Sequence, residues 1–237
     1  MRAIGIIGYK NTGKTTLICK ILEKLSQDKN LKIASVKHSN EKYNKDHNEN
    51  SDSYKFKKNS RVVILSTEND TTLYYDKLSL KEIISRLELN NYDFVIIEGF
   101  KEQLKELNIP KIVMVKEDEG LELCDKHTIK AIYNCKYDIE EIIKLVLEKS
   151  TIPTYNLNCG NCNFNCNLFV EEVIKGNAKW DDCVMESGVK LTVNGETIPL
   201  KPFVADLFKN TLEGITKSLK IPNENINSIN ISIVNNK

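Results

Sequence analysis

One stretch near the N-terminus constrains this chain more than any other. Gly8-Tyr9-Lys10-Asn11-Thr12-Gly13-Lys14-Thr15 fits the phosphate-binding pattern G-x-x-x-x-G-K-S/T at every fixed position. Ala3-Ile4-Gly5-Ile6-Ile7 before it reads as a buried strand. Thr16 to Leu25 after it carries Leu17, Ile18, Ile21, Leu22 and Leu25 at helical spacing. Strand, glycine loop and helix in that order are what phosphate binding needs, because loop N–H groups and the helix N-terminus both face the anion. The expected phosphate-contacting residues are Gly8, Lys10, Asn11, Thr12, Gly13, Lys14, Thr15 and Thr16. Lys14 reaches the β- and γ-phosphates, and the Thr15 hydroxyl joins the Mg²⁺ shell.

A second anchor lies in Tyr92-Asp93-Phe94-Val95-Ile96-Ile97-Glu98-Gly99-Phe100-Lys101. Ligands of open α/β sheets bind at the carboxyl ends of strands. Glu98 ends this strand and is the candidate Mg²⁺ carboxylate, placed with Lys14 as a catalytic residue. Asp93, at the opposite end, reads as structural, and Lys101 as solvated surface. Further strands are expected at 31–36, 61–66, 71–75, 111–115 and 129–133. Amphipathic helices are expected at 79–89, with Ser79 and Glu82 as a capping box, and at 138–148, capped by Asp138. The polar run Ser39 to Ser51 reads as a loop suited to a nucleotide switch, with a helix starting near Asp52. Alternating strands and helices predict an α/β class, a P-loop NTPase with a largely parallel sheet, over residues 1–150. An N-K-x-D base-reading motif is missing; Asn44-Lys45-Asp46 is a partial echo. His127 reads as surface.

The 237 residues carry 34 basic and 33 acidic side chains, for a net charge of +1. That balance argues against nucleic acid or a membrane surface as main partner. No apolar run approaches a membrane span and no signal peptide opens the chain, so a cytoplasmic protein is expected. Its seven cysteines are then not a disulfide set. Cys19, Cys124 and Cys135 are scattered, whereas Cys159, Cys162, Cys166 and Cys183 are bunched as C-x2-C-x3-C-x16-C. Four thiolates so spaced suit either a tetrahedral zinc or an iron–sulfur cluster. Three within one short loop lean toward a 4Fe–4S cluster, with zinc or unliganded thiols as alternatives.

Thr151 to Asn158 reads as a linker into a small α+β domain, residues 151–237, built around these cysteines. The domain would hold a helix through Leu168, Phe169, Val173 and Ile174 that ends at Gly176. Asn194-Gly195 would turn a hairpin. A helix from Pro202 would bury Phe203, Leu207, Phe208, Leu212, Ile215 and Leu219, and a last strand would run from Ile226 to Val234.

The phosphate loop, Lys37-His38, Asp52-Ser53-Tyr54 and Glu98-Gly99-Phe100-Lys101 followed by Pro110-Lys111 occur together and in order. Together they resemble the molybdopterin-guanine dinucleotide biosynthesis protein B family. The resemblance implies a GTP-binding adapter, often a homodimer, with slow hydrolysis. It also implies a partner: the guanylyltransferase that attaches GMP to molybdopterin, or the enzyme that receives the cofactor. Slow turnover fits a sequence in which no arginine finger or water-positioning residue is evident. The cysteine region resembles the small four-cysteine domain of corrinoid iron–sulfur proteins, whose second and third cysteines are usually separated by four residues rather than three. A metal-insertion NTPase, a nucleotide-gated redox module and an adapter without turnover are the competing readings.

Overall fold

The structure, a computed structural model, describes residues 1–39, 52–117, 119–194, 196–220, 226 and 228–234. Five parallel strands form the central sheet: β1 (Arg2–Gly8), β2 (Ile33–Lys37), β5 (Phe94–Glu98), β6 (Lys111–Val115) and β7 (Thr128–Tyr133), in the order β2-β5-β1-β6-β7. The apolar runs of the three inner strands, β5, β1 and β6, are nearly continuous, as strands covered on both faces require. The two faces are read from alternate residues. Ile4 and Ile6 pack under α1 (Lys14–Leu25) and α5 (Ile139–Lys149). Ala3 and Ile7 face α3 (Leu80–Leu89) and α4 (Lys101–Glu106). The expected parallel sheet is therefore present.

β3 (Val62–Ser66) and β4 (Thr71–Tyr75) follow α2 (Asp52–Asn59) and, among the described residues, pair only with each other, as an antiparallel ribbon outside the sheet. Their Thr67–Asp70 turn is too short for the crossover a parallel strand needs. The Ser79–Glu82 capping box forms as expected. Asp93 is structural: its carboxylate accepts from Lys32 N at 2.8 Å.

Past residue 150 several expectations change. Thr151 is no free linker. It pairs with Ala3 through N–H···O bonds of 2.7 and 3.1 Å, and Ile152, Thr154 and Tyr155 are buried. The segment closes one end of the sheet because its apolar residues fit the α3–α4 face. α6 (Cys166–Lys175) starts at its Asn165 cap and stops at left-handed Gly176. β8 (Leu191–Val193) and β9 (Glu196–Ile198) form the hairpin, with the expected Gly195 outside the described residues. α7 (Pro202–Lys217) buries Ala205 but leaves Phe203 78% exposed, and Leu207, Ile215 and Leu219 are exposed too, so its stripe is surface rather than core. Residues 226 and 228–234 form no strand. The isoleucine alternation finds no buried face there: Ile231 and Ile233 are exposed. The switch segment expected at 39–51, with its Asn44-Lys45-Asp46 echo, lies outside the described residues beyond Ser39.

His127 is buried, 2% exposed, rather than surface. The carbonyl of Asn167 can only accept, so His127 Nε2 carries the proton of the 2.8 Å bond between them. Burial pushes the imidazole pKa down, against the opposing pull of the Asn167 carbonyl and Asp125. The cysteine unit docks here, at the amino ends of the strands. Arg2 pairs with Glu186 at 2.7 Å and lies over Trp180, Asn167 Nδ2 donates to Asn108 Oδ1 at 2.8 Å, and Asn156 Nδ2 donates to the Glu106 carbonyl at 2.6 Å.

Candidate functional sites at opposite ends of the sheet

β1 delivers the chain into the phosphate loop at the carboxyl edge of the sheet, beside β5 and β6. The loop backbone needs glycine at two points. Gly8 (φ +153°) lies so close to Met114 O that a Cβ would stand 2.5 Å from it, and Gly13 (φ +83°) so close to Cys135 Sγ that a Cβ would stand 2.5 Å away. Thr12 turns inward and its hydroxyl donates to the Tyr9 carbonyl at 3.0 Å. Lys14 folds back over the loop and donates to the same carbonyl. Lys10 and Asn11 are exposed on the rim, and Thr15 and Thr16 open the first turn of α1.

The structure brings the two sequence anchors together. Thr15 Oγ1 stands 3.4 Å from Glu98 Oε2, and Lys37 Nζ is 3.9 Å from the same oxygen. Parallel pairing in register sets this: Lys37 lies opposite Glu98 across β2 and β5, and Ile6 opposite Glu98 across β1 and β5. The Lys37-His38 and Glu98-Gly99-Phe100 motifs are thus neighbouring strand ends, with His38 packed on Phe100 at 4.7 Å between ring centroids. Burial lowers the Lys14 pKa; Glu98 opposes this, and Lys101 and Lys37 add to it. Lys37 and Lys14 thus share the largely buried Glu98 carboxylate, with Lys101 close enough to act on Lys14. Lys101, expected as plain surface, lies 4.4 Å over the Tyr9 ring, and the Tyr9 hydroxyl donates to Glu122.

Sequence reasoning missed the turn after β7. Asn134 (φ +49°) and Cys135 (φ +57°) are consecutive left-handed residues, and Cys135 Sγ donates to the Thr12 carbonyl at 3.4 Å. Asn134 Oδ1 accepts from Glu117 N at 2.9 Å, tying the turn to the end of β6. The thiol and the backbone carbonyl that meet are separated by 123 positions, so no local pattern announces the contact.

The second site lies at the other end. Cys159, Cys162, Cys166 and Cys183 line one hollow, walled by Leu157, Phe164, Phe169, Val184 and Met185, with Thr154 beside them. Phe169 packs edge-on against Trp180 at 5.7 Å behind it. Cys166 is the first residue of α6. Asn158 fastens it twice: Oδ1 accepts from Cys166 N at 2.8 Å, and Asn158 N donates to Cys166 Sγ at 3.3 Å. Burial and then the neighbouring cysteines push the Cys183 thiol up to about 11, so a bound cation must displace its proton. Among the described residues no three Cys, His, Asp or Glu close around one point as a single ion requires. Four cysteines lining one hollow with an apolar wall are a donor set that a thiolate-bound group would use.

A parallel sheet whose central strand feeds a glycine loop into a helix, with lysine, threonine and a strand-end carboxylate converging there, defines a P-loop NTPase-like α/β protein. A model described as "Molybdopterin guanine dinucleotide synthesis protein B" matches residues 3–134, and one described as "Putative Fe-S cluster" matches residues 156–185. The chain is 46% identical over 221 residues to the "Putative molybdopterin-guanine dinucleotide biosynthesis adapter protein" of Methanocaldococcus jannaschii, covering 93% of this chain and 92% of that one. It is 27% identical to the molybdopterin-guanine dinucleotide biosynthesis adapter protein of Haemophilus influenzae, covering 63% of this chain and 83% of the relative. The crystal structure of Bacillus subtilis MobB aligns over 62% of this chain and 98% of its own, at 24% identity and a TM-score of 0.49. The chain belongs to the molybdopterin guanine dinucleotide synthesis protein B family.

Proposed function

We propose that this protein is a GTP-binding adapter of molybdopterin guanine dinucleotide biosynthesis, with an iron–sulfur unit appended. The observation that carries the nucleotide half is the meeting of Thr15 and Glu98 at the mouth of the Lys14 loop. A hard cation takes oxygen ligands, and a hydroxyl beside a carboxylate at the carboxyl edge of the sheet supplies two. Thr15 and Glu98 would hold Mg²⁺, directly or through water, and the metal would supply charge neutralisation to the phosphates. Gly8, Lys10, Asn11, Gly13 and Thr16 present backbone to the phosphates, Thr12 does so with its hydroxyl turned away, and Lys14 supplies charge.

Cys159, Cys162, Cys166 and Cys183 hold a 4Fe–4S cluster in this reading. Its support is the shared hollow, the apolar wall and the N–H aimed at Cys166 sulfur. Residues 1–150 then form the nucleotide unit and 151–237 the cluster unit. The partner is the guanylyltransferase or the enzyme that receives the finished cofactor, and the adapter works as a homodimer in the cytoplasm with slow hydrolysis. Among the described residues no helix is long and apolar enough to cross a membrane.

The test is direct. Competition between GTP and ATP for the wild-type protein in Mg²⁺, with Lys14→Ala alongside, reads the nucleotide site. Equal GTP affinity in Lys14→Ala sinks the site assignment, and equal affinity for ATP sinks the guanine reading. Iron, acid-labile sulfide and zinc per chain after oxygen-free purification read the cysteine unit, and zinc without sulfide sinks the cluster.

A further inference from the structure

We propose that the Thr154 hydroxyl donates a hydrogen bond to a sulfur of the group held by Cys159, Cys162, Cys166 and Cys183, and so raises its reduction potential. This rests on reading that group as an iron–sulfur cluster.

Thr154 is 1% exposed. Its carbonyl accepts from Leu157 N at 3.1 Å, but among the described residues its hydroxyl has no hydrogen-bond partner. The preceding buried hydroxyls do not share this fate. Ser150 Oγ donates to the Val146 carbonyl, and Thr151 Oγ1 donates to the Ile152 carbonyl at 2.7 Å. The backbone run that satisfies its own hydroxyls at 150 and 151 stops doing so at 154, where it reaches the cysteines.

Thr154 lines the cysteine hollow. Apart from the cysteines, every other side chain lining it is apolar, and Gly160 has none. Buried hydroxyls in folded proteins are nearly always paired, so this one needs an acceptor from the hollow itself. Sulfur is the acceptor that a cluster brings, as thiolate or as bridging sulfide. The Asn158 N–H to Cys166 Sγ at 3.3 Å is a bond of the same kind supplied by backbone.

The consequence is electrostatic. One-electron reduction adds negative charge that spreads over the sulfurs, and a donor pointing at them stabilises the reduced form more than the oxidised one. Thr154 thereby acts as a positioning and tuning residue, without ligating iron.

The experiment uses full-length protein purified without oxygen, as wild type, Thr154→Val and Thr154→Ser. Iron and sulfide are counted, and the cluster is titrated with dithionite while visible bleaching and electron paramagnetic resonance are followed. Valine keeps the shape and removes the hydroxyl; serine keeps the hydroxyl. The expected result is equal iron and sulfide in all three, a lower midpoint potential in Thr154→Val and a near wild-type midpoint in Thr154→Ser. Should Thr154→Val lose its cluster, Thr154→Ala removes the hydroxyl without a methyl in its place and is expected to show the same drop. An unchanged midpoint in the loaded Val or Ala protein overturns the proposal. So does a drop as large in Ser as in Val, which would mark packing as the cause, and so does a cluster that dithionite does not reduce. Zinc in place of iron and sulfide in the wild type overturns the cluster reading itself and the hydrogen bond with it.

Discussion

Thr15 Oγ1 and Glu98 Oε2 face each other at 3.4 Å across the gap between α1 and β5, although 83 residues separate them in the chain. Their approach exists because β5 lies directly beside β1, ending level with the loop that β1 feeds.

Glu98→Gln and Thr15→Ala are therefore expected to weaken GTP binding in Mg²⁺ by about ten- to a hundredfold each, since a contact to a charged group is worth about 1.5–3 kcal/mol. With the metal chelated, the loss should disappear. Calorimetric titration with and without a chelator checks this. A loss of the same size in both conditions would assign the two residues to the phosphates instead.

Lys14→Met removes the cation that closes over the loop and already bonds the Tyr9 carbonyl. A charge-assisted bond to phosphate supports a loss of about ten- to a hundredfold in affinity. The unfolding temperature of the nucleotide-free protein should not fall, because burial already works against that ammonium. Nucleotide titration beside a thermal melt separates the two effects.

Gly13 and Cys135 are expected to be coupled. An alanine at 13 would place its Cβ 2.5 Å from Cys135 Sγ and in a backbone region that costs a β-carbon about 1–2 kcal/mol. Adding Cys135→Ala should return the part of the lost stability that comes from the clash and leave the backbone part. Chemical denaturation of the single and double variants gives the coupling; strict additivity would refute the contact. Alkylating Cys135 with a bulky maleimide should also block nucleotide binding, with Cys135→Ala protecting the protein.

His127 gives the docking of the cysteine unit a pH dependence. Burial lowers its folded pKa below the ordinary 6.5, so the unfolded chain binds the proton more readily. The stability it contributes is complete above pH 6.5 and is lost as the pH falls from there through the lowered folded value. His127→Gln should flatten that part of the stability profile while still offering a donor to the Asn167 carbonyl. Urea midpoints across pH 5 to 8 in steps of about half a unit provide the measurement, and an equally steep profile in the variant would remove His127 from the account.

The parts of the fold that follow local rules were legible in the sequence. β1, the glycine loop and α1 follow from pattern alone, and the Ser79–Glu82 cap follows from two residues. The place of Glu98 beside the loop was legible because a strand end is a local feature with a global meaning. What stayed hidden depends on distant chain. His127 is buried by Asn167, forty positions on, and nothing near it in sequence signals that cover. Cys135 meets the loop only after five strands have been ordered. The segment at Thr151 looks polar and proline-bearing in sequence, yet becomes a partner of Ala3 because the sheet end needs one. The helix from Pro202 shows the reverse failure: its pattern promised burial, and its stripe faces outward.

β1 touches both sites. At its first residues Arg2 and Ala3 hold the cysteine unit through Glu186, Trp180 and Thr151; at its last, Gly8 opens the phosphate loop. At about 3.3 Å per residue its seven residues run about 20 Å, between helices packed on both faces. Under the proposed function, any influence of a nucleotide on the cysteine unit would have to pass through this packed core, as small shifts of strand and helix rather than by touch between the two bound groups.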